Sequence, residues 1–165
     1  MLSALPIITF MSRPLKSLSS QNTIKIEFYP SAYRTALKLP LVTAKVAAGF
    51  PSPADDYIDD AIDLNETLIS NPIATFYARV QGDSMVKAGI YDGDLLVVDK
   101  SIPCEDKCIV VAMVNGDFTV KRVKIVGDQY YLIAESDDYL PIAITSDMDF
   151  EIWGVVTSVI RQLRQ

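Results

Sequence analysis

The sequence contains no histidine. That absence removes the usual general base of nucleophilic catalysis and the commonest metal ligand together. Cysteine is scarce as well, with only Cys104 and Cys108. Two are too few for a disulfide scaffold and, without a second pair, a poor basis for a zinc site. Reduced thiols, no metal and no other cofactor are therefore expected. No apolar run approaches the roughly 20 residues of a membrane-spanning helix. The apolar start, MLSALPIITFM, lacks a basic leader and is interrupted by Pro6, which makes it a weak secretion signal. A cytoplasmic protein with no membrane partner is the expectation. The phosphate-cradling patterns G-x-x-x-x-G-K and G-x-G-x-x-G are missing too, which argues against a nucleotide enzyme.

Acidic residues are nearly absent from the first 48 positions. Glu27 stands there against six basic residues, for a net charge of +5, while residues 49–165 carry −11. Such a split is common in tails that bind nucleic acid or membrane. Here the basic residues are spread out rather than clustered, which favours an arm lying on its own acidic body. Half of the 165 residues are hydrophobic, enough for the core of one domain with an extension.

Residues 1–22 show no sustained periodicity. Residues 23–29 alternate, with Ile24, Ile26 and Phe28 on one side, as in a half-buried strand. Pro30 and Pro40 interrupt the next stretch, so residues 30–45 read as an extended arm. Residues 55–69 fit short helical turns, with Tyr57, Ile58, Ala61 and Ile62 on one face and four aspartates on the other. Asp63 with Glu66 has the form of a helix N-terminal capping box. The aspartates lack calcium-loop spacing and read as a solvated face.

From residue 74 the pattern is β. Strands are expected over 74–81, 94–99, 108–114, 117–125, 129–135 and 150–160. Asn115-Gly116 is the strongest hairpin signal, since both residues tolerate positive φ. The expected fold class is mostly β: a small antiparallel barrel or sandwich with an extended N-terminal arm.

With histidine missing, lysine is the remaining candidate base for an activated serine. Thr119, Lys121, Val123 and Ile125 share one face of a strand. If Val123 and Ile125 point into the core, so does Lys121, and burial then disfavours its ammonium form. A lysine snorkelling from a sheet edge gives the same pattern. Ser84 follows a strand at Gly82, where the backbone can turn sharply and present a hydroxyl, with nearby amides as candidate oxyanion donors. Gly-Asp-Ser-Met alone is also compatible with an ordinary turn.

Four stretches together carry a resemblance: Ala48-Gly49-Phe50-Pro51-Ser52-Pro53, Gly82-Asp83-Ser84-Met85, Asp92-Gly93-Asp94 and Phe118-Thr119-Val120-Lys121. In that order they resemble the LexA/UmuD-like family of self-cleaving Ser/Lys peptidases. The separations are 36 residues from Ala48 to Ser84 and 37 from Ser84 to Lys121. The resemblance covers residues 49–165 almost entirely. It implies Ser84 as nucleophile, Lys121 as general base, the Asp83 and Ser84 amides as oxyanion donors, and Ala48–Gly49 as the bond cut. Val46-Ala47-Ala48-Gly49 matches the cleavage sequence of LexA-type repressors.

By the same resemblance residues 1–48 are an arm removed by self-cleavage, and 49–165 are a LexA-like, signal-peptidase-like domain that forms a homodimer. Cleavage is stimulated by a RecA filament on single-stranded DNA. The product joins a UmuC-like Y-family polymerase in the error-prone translesion synthesis of the SOS response. Direct sequence-specific DNA binding is not expected. The arm is longer than this family's usual one, and Met11 offers an alternative start. A LexA-like repressor would need a helix-turn-helix that the strands and prolines of residues 1–48 leave no room for. A signal-peptidase-like enzyme would need a membrane anchor, and a non-catalytic β-barrel interaction module would need neither Ser84 nor Lys121.

Overall fold

The computed structural model describes residues 37–42 and 58–163. The expected strand at 23–29, the segment containing Ala48–Gly49, and most of the 1–48 arm lie outside the described residues. Strand β1 (Leu39–Val42) pairs antiparallel with β2 (Ile58–Ile62), from Leu39 opposite Ile62 to Val42 opposite Ile58. This pairing holds the two ends of segment 43–57 together. Pro40 is tolerated because a two-stranded sheet has only edges.

The helical reading of residues 55–69 is corrected over Ile58–Ile62, residues 55–57 lying outside the described residues. Ile58, Ala61 and Ile62 have helical spacing, but a helix this short is marginal in water. Pairing with β1 satisfies the backbone instead, and Ile58–Ile62 is a strand. The helix that does form, α1 (Leu64–Leu68), starts where its cap requires. The Asp63 carboxylate accepts from the Asn65 amide at 2.8 Å, and its other oxygen accepts from the Leu37 amide at 2.9 Å. One residue thus both caps α1 and ties down the chain entering β1.

The remaining strands are β3 (Thr75–Arg79), β4 (Leu95–Asp99), β5 (Ile109–Val114), β6 (Asp117–Val126), β7 (Gln129–Ile133), β8 (Ile142–Ala143) and β9 (Phe150–Ile160). They form one antiparallel seven-stranded sheet in the order β3-β4-β9-β5-β6-β7-β8. The mostly β, antiparallel fold class holds. Asn115 and Gly116 make the β5–β6 turn with φ of 52° and 91°, as a tight hairpin with right-handed strand twist requires. Among the described residues no helix is long and apolar enough to cross a membrane.

Alternation along the strands sends side chains into two cores on opposite faces. Val111 and Val120 join Phe76, Leu96, Val98, Met85 and Ile90 on one face. Val110, Ala112 and Val123 join Leu132 and Val155 on the other. Met85 and Ile90 belong to the segment between β3 and β4, which folds over the first core. That folding carries Ser84 away from its own strand.

The long strand β9 bridges β4 and β5, and its register shifts once against each, between Val97 and Val98 and between Val111 and Ala112. At this crossing a side chain on Gly154 has no room. A Cβ there would stand 2.8 Å from Val98 Cγ1 and 2.9 Å from the Asp99 carbonyl oxygen. Overpacking against backbone is hard to relieve, so Gly154→Ala is expected to destabilise the fold by about 1–3 kcal/mol. Urea unfolding of the two proteins side by side measures this, and an unchanged midpoint refutes the close-packing argument.

Candidate active site

Lys121 sits in the middle of β6, opposite Val110 of β5. Its neighbours on the same face, Val110 and Val123, are fully buried, and Lys121 itself is only 8 % exposed. Strand β6 pairs with β7 only from Arg122 onward, where Arg122 stands opposite Ile133. Beside Phe118–Lys121 the sheet therefore leaves a gap, and the lysine turns into it. Lys121 Nζ lies 2.8 Å from Ser84 Oγ and donates to the Val120 carbonyl at 3.0 Å. No carboxylate is within ion-pair reach of Lys121 among the described residues. Burial therefore acts unopposed and holds the amine below its ordinary proton affinity. An edge lysine snorkelling to solvent is the alternative that this burial removes.

Ser84 is half-buried and reaches the gap from the far side. Gly82 turns the chain after β3 with φ of 93°, a value that favours glycine. Its amide donates to Asp92 Oδ1 at 2.7 Å. The Asp92-Gly93-Asp94 turn is in turn latched to the end of β3: the Val80 amide donates to the Asp94 carbonyl at 2.8 Å, and the Gly93 amide to the Val80 carbonyl at 2.9 Å. Behind it the buried Asp94 carboxylate accepts from the Tyr91 amide at 2.8 Å and from Arg161 Nε at 2.7 Å. Arg161, which stacks on Tyr91, holds the Asp94 carboxyl below the usual carboxylate range.

A second segment braces Ser84 from the other side. The Glu135 amide donates to the Ser84 carbonyl, and the Lys87 amide to the Glu135 carbonyl, each at 2.8 Å. Glu135 also pairs with Arg122, and Lys87 with Asp137. Tyr139 Oη donates to Asp83 Oδ1 at 2.9 Å, and its ring centre is 5.9 Å from Lys121 Nζ. The resulting cleft, of about 550 Å³, is lined among others by Asp83, Ser84, Asp92, Phe118, Lys121 and Tyr139.

The sequence pattern singles out Ser84, Lys121 and Asp83, and the structure brings all three to this cleft. Ala48 and Gly49 lie outside the described residues. The pattern misses Tyr139, Glu135 and the role of Asp92. Asp92 stands in a motif of the family resemblance, but nothing in the motif says that it holds Gly82. Tyr139 has no signal at all, because its partner is 56 residues away. Cys104 and Cys108 are free and half-buried, away from the cleft, and burial pushes the Cys104 thiol up to about 11. Among the described residues no three histidine, cysteine or acidic side chains gather to hold a metal ion.

Chemically, a buried amine hydrogen-bonded to a hydroxyl can take its proton once neutral. Ser84 lines the cleft together with Lys121 and Asp83, and the Gly82 amide is already committed to Asp92. A model of the Peptidase S24-like family matches residues 40–157, a span containing Ala48-Gly49, Ser84 and Lys121. The chain belongs to the peptidase S24-like family.

Curated relatives agree with this membership. Protein SamA of Salmonella typhimurium is 42% identical over 125 residues, covering 76% of this chain and 86% of SamA. Protein MucA of Escherichia coli is 37% identical over 136 residues, covering 81% of this chain and 92% of MucA. The LexA repressor of Stenotrophomonas maltophilia is 38% identical over 135 residues, which is 82% of this chain but 63% of the repressor. The resemblance to the LexA/UmuD-like family holds with these relatives.

Burying Lys121 with no counter-ion among the described residues has a consequence for stability. The folded chain binds the Lys121 proton more weakly than the unfolded chain does. Between the two titration midpoints the unfolded state carries more protons, so stability rises with pH across that window. The penalty is fully present below the folded midpoint and vanishes as pH approaches the ordinary lysine value of 10.5. Lys121→Met is expected to stabilise the protein at neutral pH, with the gain shrinking as pH rises through this window. Urea unfolding at several pH values measures it, and a gain independent of pH contradicts the account.

Proposed function

We propose that this protein is a self-processing serine peptidase that cuts its own Ala48–Gly49 bond with a Ser84–Lys121 dyad. The observation that carries this reading is the 2.8 Å contact between Ser84 Oγ and a buried lysine amine that has no counter-ion among the described residues. Neutral Lys121 takes the Ser84 proton as Oγ attacks the Ala48 carbonyl carbon. The Asp83 and Ser84 amides hold the oxyanion. Lys121 then protonates the departing Gly49 nitrogen, leaving Ala48 esterified to Ser84. Water, deprotonated by Lys121, hydrolyses that ester and restores the serine. The products are residues 1–48 and 49–165.

The substrate is tethered. Pairing of Val42 with Ile58 keeps both ends of the segment containing Ala48–Gly49 on one domain. Tethering makes the first step effectively unimolecular, and well-oriented groups reach effective molarities of roughly 10⁵–10⁸ M. A site this simple can therefore process its own chain and remain poor towards others.

The family resemblance supplies the wider setting of this reading. The protein is a cytoplasmic homodimer of the SOS mutagenesis system, stimulated to cut by a RecA filament on single-stranded DNA. Its product 49–165 serves a UmuC-like Y-family polymerase in translesion synthesis. RecA acts by favouring the arm conformation that presents Ala48 to Ser84 and by easing loss of the Lys121 proton.

Intact-mass spectrometry of the purified protein tests the chemistry, alone at alkaline pH and with RecA, single-stranded DNA and ATP. The wild type is expected to yield a product beginning at Gly49. Its rate should rise with pH through a single titration as Lys121 becomes neutral. Ser84→Ala abolishes the product, and Lys121→Ala slows it by at least about 100-fold, the lower range for a general base. An uncut wild type beside a cut control substrate would leave a non-catalytic interaction module as the reading.

A further inference from the structure

The cleft poses an electrostatic problem that the dyad alone does not solve. Two carboxylates, Asp83 and Asp92, line the same cleft as Lys121. A carboxylate that paired with the lysine would favour the ammonium and remove the base. Neither does so among the described contacts, and each is held by a different partner. The Gly82 amide holds Asp92 Oδ1 at 2.7 Å, and the Tyr139 hydroxyl holds Asp83 Oδ1 at 2.9 Å.

We propose that Tyr139 is a positioning residue that pins the Asp83 carboxylate away from Lys121, so that no carboxylate among the described residues pairs with the buried amine. The proposal rests on the reading of Lys121 as a base that must be neutral to act. Asp83 immediately precedes Ser84 and is exposed. The hydroxyl of Tyr139 is the one side-chain partner described for it. Tyr139 comes from the opposite wall, on the segment whose Glu135 amide holds the Ser84 carbonyl. Its ring centre lies 5.9 Å from Lys121 Nζ, which places the residue beside both groups.

The other charged groups around the lysine are already satisfied. Glu135 pairs with Arg122, and Lys87 pairs with Asp137. From β5 the residue facing Lys121 is the apolar Val110. Asp138, next to Tyr139, is exposed. Asp83, which lines the cleft with Lys121, is thus the carboxylate that loss of the Tyr139 hydrogen bond releases. The proton on Tyr139 is secure, because the Asp83 carboxylate beside it raises the phenol above its ordinary range.

The test reads the lysine directly and does not depend on catalysis. In full-length Ser84→Ala protein labelled with ¹³C at lysine Cε, the Lys121 resonance is titrated by NMR. Four proteins are compared on this background: Tyr139 intact, Tyr139→Phe, Asp83→Asn, and the double variant. Tyr139→Phe keeps the ring and loses only the hydroxyl, so the fold is preserved, as amide spectra will show. Its Lys121 midpoint is expected to move upward. With Asp83→Asn in place, Tyr139→Phe should no longer move it.

With Ser84 restored, Tyr139→Phe should slow self-cleavage roughly three- to tenfold below the midpoint and recover at alkaline pH, as loss of neutral amine requires. An unchanged Lys121 midpoint in Tyr139→Phe overturns the proposal, and so does an upward shift that persists with Asp83→Asn. A wild type that fails to cut, with the NMR shifts as expected, refutes self-cleavage and leaves the control of Lys121 by Tyr139 standing.

Discussion

A lysine amine buried with no carboxylate in ion-pair reach among the described residues is the constraint on which the site depends. Taking an ammonium out of water is costly, and a protein normally recovers the cost with a carboxylate. Here the nearest partners of Lys121 Nζ are a hydroxyl and a carbonyl, at 2.8 and 3.0 Å. Both can hydrogen-bond the amine, but neither brings the full negative charge that would stabilise the ammonium. The surrounding sheet must supply the stability that this arrangement gives up. It does so with two apolar cores, one on each face of β5 and β6.

The same constraint explains how Ser84 is held. A hydroxyl on a loop keeps its contact with an amine on a strand only if the loop is held as firmly as the strand. The segment between β3 and β4 meets this by being fastened at both sides. Gly82 is held through Asp92, and Asp94 is clamped by Arg161 from the end of β9. Across the cleft Glu135 holds the Ser84 carbonyl and Tyr139 holds the Asp83 side chain. Met85 and Ile90, buried in the first core, fix the stretch between these fastenings.

Membership of the peptidase S24-like family and the pairing of β1 with β2 belong to one picture. The family match begins at residue 40, within β1 and before the Ala48–Gly49 bond. A strand on each side of that bond is paired to the other, so the segment between them starts and ends at one place. Under the proposed self-cleavage, recognition then becomes largely a matter of loop geometry.

Much of the β architecture was legible in the sequence, because each strand carries its own signal. Alternation along β6, the apolar runs of β4 and β5, and Asn115-Gly116 between β5 and β6 are local patterns with local causes. So is the Asp63 cap of α1. The chemistry was legible in kind: with no histidine present, a serine after Gly82 and a lysine on an inward-reading face were the groups to consider. Residues 58–62 misled because their apolar spacing suits a helix, while a strand partner some 20 positions earlier in the chain, visible only in the fold, decided for β.

What only the tertiary structure decided is proximity and surroundings. The surroundings of the lysine depend on where the described carboxylates ended up, and Tyr139, Glu135 and Arg161 acquire their roles from partners 51 to 67 residues away. Sequence determines which groups are available and which local conformations they favour. Desolvation and hydrogen bonding between distant segments exist only once the chain has folded.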